Sequence, residues 1–153
     1  MPTETATAAP PATSLSIEDA DRLRLAITRL QRRLRRQANA GITPSQLAVL
    51  GTLNRLGPLT LGELADAEAV APPSISRTAA ALEEKQLVER VAVSDDRRSS
   101  RLRLTPKARR LIQTIRHQRT AWIAARVAEL SGADIRALQR GIEALEHLAE
   151  SRQ

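Results

Sequence analysis

Five helix-start signals divide this chain into short helices. Thr43-Pro44-Ser45-Gln46 and Thr60-Leu61-Gly62-Glu63 both match the capping box, in which a hydroxyl and an acid or amide three residues on satisfy each other's backbone N–H groups. Pro72-Pro73 and Thr105-Pro106 place proline where a helix begins, because its missing N–H is unneeded in the first turn. Ser131 with Asp134 gives the last signal.

An earlier helix begins near Ser16 or Ile17, with Glu18, Asp19 and Asp21 in its opening turns, and runs to about Asn39 before Gly41. Leu23, Ile27, Leu30 and Leu34 form its apolar stripe. Arg22, Arg24, Arg29, Arg32, Arg33, Arg35 and Arg36 lie between them, as a solvated face or one turned to phosphates. In the second helix Leu47, Leu50, Leu53 and Leu56 are expected to face the core until Gly57-Pro58. The third runs to about Glu68, burying Leu61, Leu64 and Ala65. The helix from Pro72-Pro73 to about Gln86 has Ile75, Ala79 and Leu82 on one side and Ser74, Arg77, Thr78 and Ala81 on the other. An outer face that small can approach a groove closely, and Ser and Arg can reach base edges and phosphates.

The periodicity then changes. Leu87 to Val93 reads as a strand, and Leu102 and Leu104 alternate with Arg101 and Arg103 in a second. The polar loop from Ser94 to Ser100 suits a hairpin tip, and so small a sheet must pack on the helices. A long helix from Thr105-Pro106 reaches about Leu130. The final helix carries Ile135, Leu138, Ile142, Leu145 and Leu148 as a stripe of spacing three and four. The expected fold is therefore mainly α with a small β-hairpin wing.

The net charge of +7 favours a polyanion. Trp122 is the only Phe, Tyr or Trp, which disfavours readers that stack single-stranded bases and leaves duplex DNA as the better partner. Trp122 itself reads as a packing residue of the long helix. The absence of cysteine excludes disulfides, thiolate metal sites and cysteine redox sensing. No apolar run approaches the roughly 20 residues that span a bilayer. Residues 1–15 read as a disordered tail without a secretory signal, and a cytoplasmic location follows by default. His117 and His147 lie in different helices and no catalytic or nucleotide-binding motif is present, so neither an enzyme nor a cofactor or metal is expected.

Asp96-Arg97-Arg98-Ser99, leading through Arg101-Leu102-Arg103 into Leu104-Thr105-Pro106-Lys107, resembles the wing signature of the MarR (multiple-antibiotic-resistance regulator) family. Upstream, Ser76-Arg77, Leu82-Glu83 and Leu87-Val88-Glu89-Arg90 resemble that family's passage from recognition helix to strand. Ala108 stands where a glycine is usual, a change confined to the first turn of a helix. The resemblance spans roughly residues 17–150.

It implies a winged helix-turn-helix lobe over 43–105, flanked by dimerisation helices at 16–42 and 106–153. In the homodimer so implied, Leu23, Ile27, Leu30 and Leu34 pack with Ile135, Leu138, Ile142, Leu145 and Leu148 between subunits; packing within one subunit is the alternative. Pro73, Ser74, Ser76, Arg77 and Thr78 are expected at DNA, Arg77 reading guanine or meeting a phosphate. By resemblance Arg98 enters the minor groove and Asp96 orients it, while Arg97, Arg101 and Arg103 meet phosphates or remain solvated. The expected function is a ligand-responsive repressor on a pseudo-palindromic operator, with an aromatic-acid-like effector whose pocket residues the sequence does not name. A winged-helix protein-interaction module and a non-specific DNA binder are the alternatives, and activation in place of repression stays open.

Overall fold

The computed structural model describes residues 14–37, 41–92 and 100–150. In chain order its elements are α1 (Ile17–Arg36), α2 (Pro44–Leu56), α3 (Leu61–Glu68), α4 (Pro72–Glu84), β1 (Val88–Ala92), β2 (Ser100–Leu104), α5 (Pro106–Val127) and α6 (Gly132–Glu150). Two compact units divide at Arg36, so α1 belongs to one and α2 to α6 to the other.

In α1 the Ser16 hydroxyl accepts the Asp19 N–H at 3.0 Å, closing the first turn. Arg22 pairs with Asp19 and Arg24 with Asp21, both at i,i+3. The helix ends at Arg36, short of the expected Asn39, which lies with residues 38–40 outside the described residues. The tail expected over 1–15 lies outside them up to residue 13. No residue of α1 is buried. Leu23 and Leu34 are half-buried, whereas Ile27 and Leu30 are exposed.

The second unit begins at the expected caps. Thr43 and Gln46 form both halves of a capping box for α2, as do Thr60 and Glu63 for α3. The Thr105 hydroxyl accepts the Ala108 N–H at 3.2 Å and donates to the Gln86 carbonyl at 2.8 Å, fixing the start of α5 beside the turn that leaves α4. Leu50, Leu64, Leu82 and Leu102 supply the largest fully buried side chains, one each from α2, α3, α4 and β2. Burying each stabilises the lobe by roughly 1.5–3 kcal/mol relative to leaving it exposed.

The buried face of α2 differs from the expected one. Gln46, Val49, Leu50, Thr52 and Leu53 are buried, Leu47 is half-buried, and Leu56 is 54% exposed. Leu56 is the last residue of α2, followed at once by the Gly57 cap. Gln46 is tolerated inside because its carbonyl accepts the Thr43 N–H and the Lys85 ammonium.

The strands pair antiparallel with Val88 opposite Leu104 and Arg90 opposite Leu102. Leu102 also exchanges two backbone hydrogen bonds with Leu59, at 2.7 and 3.2 Å, so the α2–α3 connection acts as a third edge of the sheet. The hairpin packs on α2, α4 and α5. Ala108, where the family commonly has glycine, is fully buried and its methyl is part of the core. Ser131 caps α6 through the Asp134 N–H.

Candidate nucleic-acid interface

Two proline residues open α4 without a side-chain cap, and three inward residues, Ile75, Ala79 and Leu82, hold it on the core. Pro73, Ser76, Arg77 and Ala80 are exposed, and their spacing of three and four places them on one ridge. Ser74 and Thr78, also expected at DNA, are half-buried on its flank. The Thr78 hydroxyl donates to the Ser74 carbonyl at 2.9 Å, and both residues line a small open cavity with Val49, Glu68 and Val70. Ala81 is half-buried too. Arg77 is the only basic residue of α4, and its one described hydrogen bond is a long one, 3.4 Å from Nε to the Pro73 carbonyl. Its guanidinium therefore stands on a ridge of small side chains that a duplex can approach closely.

On β2, Arg101 and Arg103, expected to meet phosphates or remain solvated, each pair with an acid of the same chain. Arg101 donates to Glu63 at 3.2 Å and to the Pro58 carbonyl at 3.1 Å. Arg103 pairs with Glu89 across the hairpin at 2.8 Å, where the register sets them opposite each other. Arg90 of β1 pairs with Glu83 of α4, at 2.8 Å. Each of these guanidiniums thus meets a carboxylate of the same chain, and each pair stays partly exposed. A phosphate can share or displace such a carboxylate, because exposed pairs hold only weakly.

Glu63 is the node among these acids. Hydrogen bonds from the Thr60 backbone and hydroxyl hold its carboxyl below the usual carboxylate range, burial opposes this, and Arg101 adds a smaller pull downward. Sequence reasoning missed Glu63, Glu83, Glu89 and Arg90 as parts of this surface. Strand alternation contained a signal for Glu89, which falls on the same face as the β2 arginines once the hairpin is paired. The other two pairings join separate elements and left no local pattern.

Asp96, Arg97 and Arg98, expected at the wing tip, lie outside the described residues.

Away from this surface, α6 has no buried residue. Ile135 is half-buried, and Leu138, Ile142, Leu145 and Leu148 are exposed along one stripe. A separate cavity of about 370 Å³ is lined by Gly41, Ile42, Lys85, Leu87, Lys107 and Leu111. Its two ammonium groups donate to the Gly41 and Lys85 carbonyls.

A pair of short helices, an adjoining helix with a small-sided outer ridge and a two-stranded hairpin packed behind it define a winged helix-turn-helix, a DNA-binding class of protein. The MarR family model matches residues 42–100. An uncharacterized HTH-type transcriptional regulator of Mycobacterium bovis is 35% identical over 113 residues, covering 73% of this chain and 79% of that protein. The fold is similar to that of a MarR family protein from Bacillus stearothermophilus, with a TM-score of 0.72 at 28% identity over 88% of this chain and 94% of that one. It is also similar to an S. aureus MepR variant bound to an oligodeoxyribonucleotide, with a TM-score of 0.68 at 19% identity over 88% and 100% of the two chains. The chain belongs to the MarR family and is a DNA-binding transcriptional regulator.

Proposed function

We propose that the protein is a homodimeric, ligand-responsive repressor that reads a pseudo-palindromic operator, acting in the cytoplasm. The α4 ridge enters the major groove, with Arg77 the residue that reads guanine and Pro73, Ser76 and the flanking Ser74 and Thr78 fitting the groove walls. The wing, through Arg98 oriented by Asp96, reaches the adjacent minor groove, and Arg97, Arg101 and Arg103 meet phosphates. The observation that carries this reading is the exposed Arg77 on a ridge otherwise made of proline, serine and alanine. Long side chains there would hold the helix away from base edges.

Dimerisation through α6 and α1 is supported by the exposed stripe Leu138, Ile142, Leu145 and Leu148, since a soluble chain seldom leaves so continuous an apolar face to water. A twofold dimer reads half-sites about one helical turn apart. An anionic aromatic effector fits the cavity with Lys85 and Lys107 at its polar side and Ile42, Leu87 and Leu111 as its apolar walls. Such a ligand acts by preferring one spacing of the two α4 helices.

Fluorescence anisotropy on a duplex from the region upstream of its own gene tests the reading, in the presence of excess random duplex. Wild type is expected to survive the competitor, and Arg77→Ala to lose affinity most at guanine positions. A uniform loss across a panel of base changes would remove the base-reading role of Arg77.

A further inference from the structure

Along α1 the handling of charge changes halfway. In its first half the arginines are matched by acids one turn away, Arg22 by Asp19 and Arg24 by Asp21, at 3.0 and 2.6 Å. In its second half Arg29, Arg32, Arg33 and Arg36 recur at three and four residues, all exposed, with no acid between Leu23 and Arg36. Among the described residues none of these four has an ion pair. Like charges one turn apart oppose the helix they sit on. The helix C-terminus compensates only about half a charge.

We propose that this stripe is a second phosphate-binding surface, which holds duplex DNA outside the grooves read by α4 and the wing. The four side chains span about 10 Å of helix, a length over which a duplex carries roughly six phosphates. Guanidinium is the side-chain group best matched to phosphate oxygens, binding two at once. Leu23, Ile27, Leu30 and Leu34 lie on the opposite face of α1, so the arginine stripe is separate from the apolar one. The stripe rests on the DNA-binding activity of the chain and not on the assignment of α4.

The test uses the full chain and a random-sequence duplex several turns long, with affinity measured from about 50 to 200 mM salt. Substituting Arg29, Arg32, Arg33 and Arg36 together by glutamine is expected to make the log–log salt slope shallower by about 3 to 4 and to weaken binding at least tenfold at the lower salt. Substituting all four by lysine is expected to restore most of both. Unchanged slope and affinity in the glutamine variant would overturn the proposal. Arg77→Ala, measured in parallel on the upstream duplex, keeps the two readings apart, because each variant then fails or survives by itself. In wild type, duplex should also protect the four arginines from phenylglyoxal, read by mass spectrometry; equal modification with and without duplex would overturn the proposal without any variant. Loss of binding to phosphatidylserine vesicles with duplex affinity intact would assign the stripe to a membrane and overturn it as well.

Discussion

Arg101 of β2 reaches Glu63 in the first turn of α3, Nη2 to Oε1 at 3.2 Å, while the other carboxylate oxygen of Glu63 accepts the Thr60 N–H at 2.7 Å. One acid therefore caps the helix-turn-helix and tethers the hairpin to it. The Leu59–Leu102 backbone pair runs beside this link and reinforces it. Reading DNA with a helix and a wing requires that the two keep their relative position, and this contact is part of what keeps it.

The depressed pKa of Glu63 sets a pH dependence with a definite sign. A carboxyl whose folded pKa lies below its ordinary value of 4.5 stabilises the fold fully above that value, and the contribution disappears as pH falls through the folded pKa. Urea midpoints of wild type should therefore fall more steeply below pH 4.5 than those of Glu63→Gln. Thr60→Ala should flatten that difference more than Arg101→Ala, because it removes the Thr60 side-chain hydrogen bond, a larger cause than Arg101, while the backbone N–H that contributes most stays in place. Equal slopes in wild type and Glu63→Gln would show that Glu63 contributes nothing through its charge.

Glu89 sits opposite Arg103 in the hairpin and pairs with it, so the phosphate contact proposed for Arg103 has this carboxylate as a competitor. Glu89→Gln should raise duplex affinity several-fold and steepen the salt slope by about one phosphate contact. A weaker complex would mean that Glu89 aims Arg103 at the duplex.

On α6, Leu138→Glu with Ile142→Glu should leave the lobe folded, since these side chains are 46% and 51% exposed. On the proposed dimer, the expected change is in sedimentation, from dimer to monomer, together with a large loss of affinity for the upstream duplex. A variant that still sediments as a dimer would place the subunit contact elsewhere, and a monomeric wild type would overturn the proposed dimer.

Gly57 and Gly51 make a contrast in backbone freedom. Gly57 ends α2 at φ 86° and ψ −160°, a region that side chains with a Cβ avoid, and a Cβ there would meet nothing within 4 Å. Gly57→Ala should therefore cost about 1–3 kcal/mol from backbone strain alone. Gly51 lies inside α2 with equally open space, so Gly51→Ala should stabilise by about 0.5–1 kcal/mol. Urea denaturation of the two variants should move in opposite directions.

What the sequence by itself determined is the segmentation. Thr43 with Gln46, Thr60 with Glu63, Thr105 with Pro106 and Ser131 with Asp134 each act within one turn of backbone, so their effect is written in adjacent residues and survived folding unchanged. The inward faces of α3, α4 and β2 were legible for the same reason, because periodicity alone puts Leu64, Ile75, Leu82, Leu102 and Leu104 on one side. Tertiary structure decided what each polar side chain touches. It exposed Leu56 at the end of α2, turned Ser74 and Thr78 toward a cavity, and gave Arg101 and Arg103 to Glu63 and Glu89, 38 and 14 residues away. A long charged side chain is satisfied by any acid within its reach, and which acid that is depends on how separate elements pack, a fact no local spacing records.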